Sequence, residues 1–166
     1  MVNEIMQTHR VPSLYLDTSV IGGYFDEEFK DATRELWRQM QKGLYRFVTS
    51  VVVDQEMVKA PERVQKLMAS TFREKESYLP LTEDVIDLAQ AYLDHKVVSS
   101  GYVDDARHVA MAVVHGIYIV VSWNFKHLVN LRRETGFNSV NVLQGYPQVR
   151  ILSPLELIYG LQEKEI

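Results

Sequence analysis

The stretch Gly101–Asn130, GYVDDARHVAMAVVHGIYIVVSWNFKHLVN, decides the fold. Ala106, Val109, Ala110 and Val113 recur at helical spacing and make one apolar face. Gly116 is a natural stop for that helix. Ile117–Val121 is a short, β-rich apolar run, suited to a strand buried on both faces. Asp104 and Asp105 therefore begin a helix, and Asn124 follows the carboxyl end of the next strand. In a sheet built from right-handed crossovers, helix N-termini and strand carboxyl ends share one edge. That edge is where open α/β proteins place their sites.

Working outward, Leu14-Tyr15-Leu16 reads as a first strand ending at Asp17. Ile21-Gly22-Gly23 offers a turn, and Asp26-Glu27-Glu28 an acidic loop. Lys30–Lys42 reads as a helix stopped by Gly43, and Tyr45–Thr49 as a second strand. Ser50 suits an N-cap, although Val51-Val52-Val53 favours a strand by its β-branching. If the cap holds, Glu56 falls in the second helical turn, near the edge of Asp17. Pro61 interrupts that helix, and Val64, Leu67 and Met68 mark another. Ser77–Leu79 is a short strand candidate. Thr82 caps a helix with Val85, Ile86, Ala89, Tyr92 and Leu93 on one face. Leu128–Phe137 reads as a short helix and loop, and Val149–Leu152 as a last strand. Ser153-Pro154-Leu155-Glu156 is a capping box that starts a terminal helix running to about Gln162. The alternation of strand and helix predicts an α/β fold with a mostly parallel sheet.

The 166 residues, 46% hydrophobic and 24% charged, suit a single domain spanning residues 1–166. There is no cysteine, which removes disulfides, thiolate nucleophiles and Cys-type zinc sites. Met1–Pro12 lacks the apolar core of a secretory signal, and no apolar run reaches the ~18 residues of a membrane span. The expectation is a cytoplasmic protein with no membrane partner. A net charge of −4 argues against a broad, non-specific nucleic-acid binder. It leaves open an enzyme that holds a phosphate through a metal ion.

Asp17, Glu56, Asp105 and Asn124 share the predicted edge. Three carboxylates brought together repel one another, and a divalent cation removes that penalty. Mg²⁺ and Mn²⁺ prefer oxygen ligands, and a bound metal can activate water against a phosphodiester. Each residue also has a simpler reading. Asp17 could start a turn, Glu56 could be an exposed helix acid, and Asn124 a turn residue. Asp105 is the preferred ligand because the buried stripe lies beside it, and Asp104 suits a cap or a supporting group. His108, one turn after Asp105, could contact substrate or be a hydrogen-bonded structural histidine. No GxxxxGK[ST], GxGxxG or GxSxG motif is present.

YLDTSVIGGYF, Glu56 after TSVVVDQ, DARHVAMA and VVSWNFKHLVN resemble the PIN-domain ribonucleases, most closely the VapC-type toxins of toxin–antitoxin systems and their relatives. The likeness runs from Leu14 to Leu157. It implies a three-layer α/β/α sandwich with a central parallel sheet and Mg²⁺- or Mn²⁺-dependent cleavage of single-stranded RNA. The family's first three acids match Asp17, Glu56 and Asp105. Asn124 stands where many members carry a fourth acid, so it brings an amide but no charge to the metal site. Thr18, Ser19 and Ser122 become supporting groups. Arg107, His108, Lys126 and His127, with Lys59 and Arg63 beyond Glu56, become candidates to flank bound RNA. The resemblance also implies a small antitoxin partner and a homodimer. Two other readings are a non-cleaving RNA- or protein-binding module on the same fold, and a haloacid-dehalogenase-like phosphatase. The phosphatase would want an acid where Ser19 stands.

Overall fold

The computed structural model describes residues 11–160. Its centre is β1 (Ser13–Leu16), whose Leu14, Tyr15 and Leu16 are fully buried. β2 (Arg46–Ser50), β3 (Tyr78–Leu79), β4 (Ile119–Val121) and β5 (Arg150–Leu152) complete a sheet of order β3-β2-β1-β4-β5. Every pairing is parallel, and Tyr15 sits level with Val48 on one side and Val120 on the other. With helices on both faces the strands are shielded from water twice, hence their continuous apolar runs.

The helices are α1 (Thr18–Gly23), α2 (Lys30–Gln41), α3 (Val51–Met57), α4 (Glu62–Thr71), α5 (Glu83–Asp94), α6 (Val103–Val114), α7 (Leu131–Leu143) and α8 (Pro154–Gly160). The chain steps outward from β1 to β3, then returns across the sheet to β4 and β5. Right-handed crossovers put α1–α4 on one face and α5–α7 on the other. The packing agrees: α5 lies along α6 and touches α7, while α8 returns to pack on α2. The result is the expected α/β/α sandwich. Strand order reverses between β1 and β4, and the crevice beyond their carboxyl ends is the switch point where such sheets bind ligands.

Two local expectations need correction, and one open reading is decided. Ile21-Gly22-Gly23 is not a turn but the second half of α1, which Asp17 caps by accepting from Val20 N–H at 3.3 Å. The small residue at 23 has a packing reason: a Cβ there would lie 2.7 Å from the Trp123 indole nitrogen. Val51-Val52-Val53 is helical, because Ser50 accepts from Val53 N–H at 3.3 Å, and the cap outweighs β-branching. Beyond Leu128, the short helix is thirteen residues long and runs to Leu143, capped by Asn130 on Arg133 N–H at 2.9 Å. Its apolar residues are split between core (Phe137, Val140) and solvent (Leu131, Val142, Leu143), which blurs the helical period. The Ser153–Glu156 box forms, with Glu156 N–H donating to Ser153 Oγ at 3.4 Å. The expected helix end near Gln162 and most of the Met1–Pro12 segment lie outside the described residues.

Candidate active site

The site is assembled at the β1/β4 switch point. Asp17 continues β1, its N–H donating to Val121 O at 3.2 Å, and its side chain is 4% exposed. Both carboxylate oxygens are engaged. Oδ1 accepts from Ser19 Oγ at 2.6 Å and from Val20 N–H, and Oδ2 accepts from Ser122 Oγ at 2.5 Å. The two serines are anchored in turn: Ser19 Oγ accepts from Trp123 N–H at 2.9 Å, and Ser122 Oγ from Asn124 N–H at 2.9 Å. They lace the end of β1 to the end of β4. Burial pushes the Asp17 carboxyl up from its usual value, against the pull of His108 and the hydroxyl donors.

Glu56 reaches the same edge from α3. Its Oε2 accepts from Thr18 Oγ1 at 2.5 Å, and its Oε1 lies 2.8 Å from His108 Nε2. Burial works against ionisation of Glu56, but the His108 bond and charge and the Thr18 hydroxyl hold the carboxyl below its usual value. Asp105, in the first turn of α6, is half-buried and its carboxyl is pushed up to about 6. Burial is the main cause. The His108 charge opposes it, and the Asp17, Glu56 and Asp104 charges add to it. Asp105 is thus within electrostatic reach of both Asp17 and Glu56. Asp104 is exposed in the same turn and is not the cap, since α6 has no side-chain cap.

His108 departs from the substrate-contact expectation. It is 3% exposed, and both ring nitrogens are engaged inside the protein. Nδ1 lies 2.7 Å from the Tyr15 hydroxyl, which also lies 2.7 Å from Ser50 Oγ. With the imidazole neutral, one direction of donation satisfies every member. Val53 N–H donates to Ser50, Ser50 to Tyr15, Tyr15 to Nδ1, and Nε2–H to Glu56. With the imidazole protonated, Nδ1–H donates to Tyr15 instead. His108 is therefore a positioning residue for Glu56. Tyr15 was not a site candidate, because a tyrosine in a buried strand reads as core. The signal that could have found this chain is the polar pair Tyr15 and His108 on otherwise apolar stripes.

Asn124 also departs from its expected place as a ligand. Its Oδ1 accepts from His127 N–H at 3.0 Å, and its carbonyl accepts from Leu128 N–H and Val129 N–H, so it holds the loop after β4. Asn130 closes the same loop from the far side, donating to Phe125 O at 2.8 Å and Lys126 O at 3.1 Å. Arg107 is half-buried and Lys126 exposed, and neither pairs with a carboxylate among the described residues. His127 is half-buried against Tyr102. Lys59 is exposed, and Arg63 lies 5.1 Å over the Phe25 ring.

The donor set is all oxygen and anionic, which suits Mg²⁺ or Mn²⁺ in kind. Among the described residues, no three Asp, Glu or His side chains stand close enough together to hold one ion. Mg²⁺ is commonly held by one or two carboxylates with retained waters and substrate phosphate. No described helix is long and apolar enough to cross a membrane.

Comparison with known proteins agrees with the fold. A search of curated proteins finds no match to the chain. Two solved structures share the fold. One is VapBC2 from Rickettsia felis bound to a DNA fragment from its promoter (TM-score 0.54, 15% identity, covering 85% of this chain and 98% of that one). The other is FitAcB from Neisseria gonorrhoeae (TM-score 0.51, 14% identity, covering 86% and 98%). The PIN domain family matches residues 14–126, a span that carries Asp17, Glu56, Asp105 and Asn124, and it displaces the phosphatase reading. The chain belongs to the PIN domain family.

Proposed function

We propose that the chain is a Mg²⁺- or Mn²⁺-dependent ribonuclease that hydrolyses RNA phosphodiester bonds as the toxin of a toxin–antitoxin pair. The observation that carries this reading is the meeting of Asp17, Glu56 and Asp105 at the switch-point edge, with Asp105 driven up to about 6 by burial and by its neighbours. A carboxyl so destabilised in its charged form gains from a cation. Asp105 with one of its neighbours Asp17 and Glu56 would hold the metal, with retained waters completing its shell, and the metal would supply charge neutralisation and activation of water. Ser19, Ser122 and Thr18 orient the first two acids, and His108 orients Glu56. Arg107, Lys126 and His127 lie on the elements that carry Asp105 and Asn124, where RNA phosphates need positive charge. A small antitoxin covering this edge belongs to the same proposal, supported by the VapBC2 likeness in fold, and a homodimer and a cytoplasmic location are proposed with it.

The test is cleavage of single-stranded RNA by the purified chain in Mn²⁺ and in EDTA, beside Asp17→Asn. Turnover that needs metal and Asp17 supports the proposal. Turnover that survives both EDTA and Asp17→Asn defeats it. A second reading, a module that binds without cleaving, is favoured by the engagement of Asn124 Oδ1 in its own loop. It predicts RNA binding with no turnover in any metal.

A further inference from the structure

The loop that Asn124 and Asn130 hold so firmly presents His127 against Tyr102, the residue just before α6. The two rings lie 3.7 Å apart between centroids, tilted by 30°. Tyr102 remains 38% exposed, so the pair offers an aromatic surface to solvent beside the acids. Nδ1 of His127 is buried with no hydrogen-bond partner, so the ring is held by its contacts and not by a bond at that atom. Just beyond the stack is a cleft of about 690 Å³ between the connector after α5 and the start of α7. Lys96, Arg132 and Arg133 line it with Ser99 and Ser100, against one acid, Asp94.

Carboxylate pairing does not account for the charges there. None of the three cations pairs with a carboxylate among the described residues. Arg132 and Arg133 occupy the first turn of α7, where the helix dipole disfavours cations. Arg133 donates to Val97 O, and Ser100, in the same 3-10 turn as Tyr102, lines the cleft, so the cleft adjoins the stack. An aromatic platform followed by a basic groove is the arrangement that holds single-stranded nucleic acid. Bases stack on the ring, and phosphates follow the cations. An acidic protein segment would use the cations but has no need of an exposed ring.

We infer that Tyr102, packed on His127, is a base-stacking platform, and that the Lys96/Arg132/Arg133 cleft holds the next phosphates of a single RNA strand leading away from Asp105. The inference rests on the ribonuclease reading only for where that strand leads.

The test is binding of a fluorescent single-stranded RNA of about twelve nucleotides in EDTA, where no cleavage occurs. An abasic strand of the same length and an acidic peptide of equal charge are measured beside it. Tyr102→Ala is expected to weaken the intact RNA at least about fivefold and leave the abasic strand unchanged, with Tyr102→Phe restoring binding. The double variant Lys96→Asn/Arg132→Gln is expected to weaken both strands on the order of twentyfold near 0.1 M salt and to flatten the salt slope by about 1.4. Melting curves confirm that each variant folds. Absence of RNA binding, equal loss of both strands in Tyr102→Ala, or tighter binding of the peptide than of RNA overturns the inference. Metal-dependent cleavage with unchanged binding in all variants sinks this site and spares the nuclease. The expected binding pattern without any cleavage does the reverse.

Discussion

The hydroxyl of Tyr15 lies 2.7 Å from Nδ1 of His108, joining the middle strand of the sheet to the imidazole that holds Glu56. Removing His108 strands the buried Tyr15 hydroxyl and the half-buried Glu56 and opens a cavity. His108→Ala should cost about 2–4 kcal/mol in urea unfolding. His108→Gln, which can still reach Glu56, should recover more of the metal response than His108→Asn, which can reach only Tyr15. The surroundings raise the His108 pKa, with the Glu56 bond and nearby acids prevailing over burial. Its ionic contribution is therefore full below the free value of 6.5 and fades as pH rises through the folded value. The advantage of wild type over His108→Gln should shrink accordingly. A pH-independent difference would mean that His108 acts by packing alone.

Asp17 is both an acid and a cap. Asp17→Ala removes the acceptor for Ser19, Ser122 and Val20 and should destabilise by about 2–4 kcal/mol. Asp17→Asn keeps the Oδ1 acceptor and relieves a buried charge, so its melting temperature should stay close to wild type. Comparable losses in both variants would show that the negative charge itself holds the β1/β4 junction.

Asp105 has the opposite sign of linkage to a paired acid. Its folded value of about 6 lies above the free 3.8, so the folded state holds the proton more tightly. Stability is lost as pH rises between those values, and the full penalty is present above 6. The shift corresponds to about 3 kcal/mol, and solvent access reduces that to roughly half. Asp105→Asn should therefore raise the melting temperature at about pH 8 and change little at about pH 4. Equal gains at both would point to helix propensity instead of charge.

Metal should act on the same balance. A cation that binds only the folded chain stabilises it by about 2.7 kcal/mol at a hundredfold excess over Kd. Mn²⁺ should raise the melting temperature more than Mg²⁺. Asp105→Asn should lose most of the rise. Asn124→Asp, which can still accept from His127 N–H, should enlarge it while lowering stability without metal. If wild type and both variants shift alike, the ion binds elsewhere.

Gly23→Ala would drive a methyl into the Trp123 indole, which donates to Thr33 Oγ1 at 2.9 Å and stacks on Phe29 at 4.3 Å. The expected loss is about 1–3 kcal/mol with a shift in tryptophan emission. An unchanged spectrum would mean that α1 yields instead of the ring.

Much of this was readable in the chain. Strand ends at Asp17 and near Asn124, the Ser50 cap that places Glu56, and the apolar stripe beside Asp105 are local signals of short range. What the chain hides is pairing at a distance. Ser122 and Asp17 are 105 positions apart, and Tyr15 and His108 are 93. Each hydroxyl or ring reads alone as filler, since serine at a strand end and tyrosine in a core are ordinary. α1 was obscured by its two glycines, of which Gly23 answers to an indole one hundred positions later. Asn124 read as a ligand because its place in the pattern says nothing of which atom its oxygen meets.

Strand order has a consequence for how the chain comes together. β1, β2 and β3 arise from the first half of the described chain, yet the acids meet at the seam with β4. Ser122, whose hydroxyl fixes Asp17, is itself held through its N–H by Leu152 O at 3.1 Å. The loops that close this seam are long, and long-range contacts form late. During synthesis the nascent protein therefore carries all of its early acids without a finished centre. Ser122 gains its bond to Leu152 O only once β5 has been made and docked, so a chain ended before Leu152 lacks that anchor for the residue that fixes Asp17.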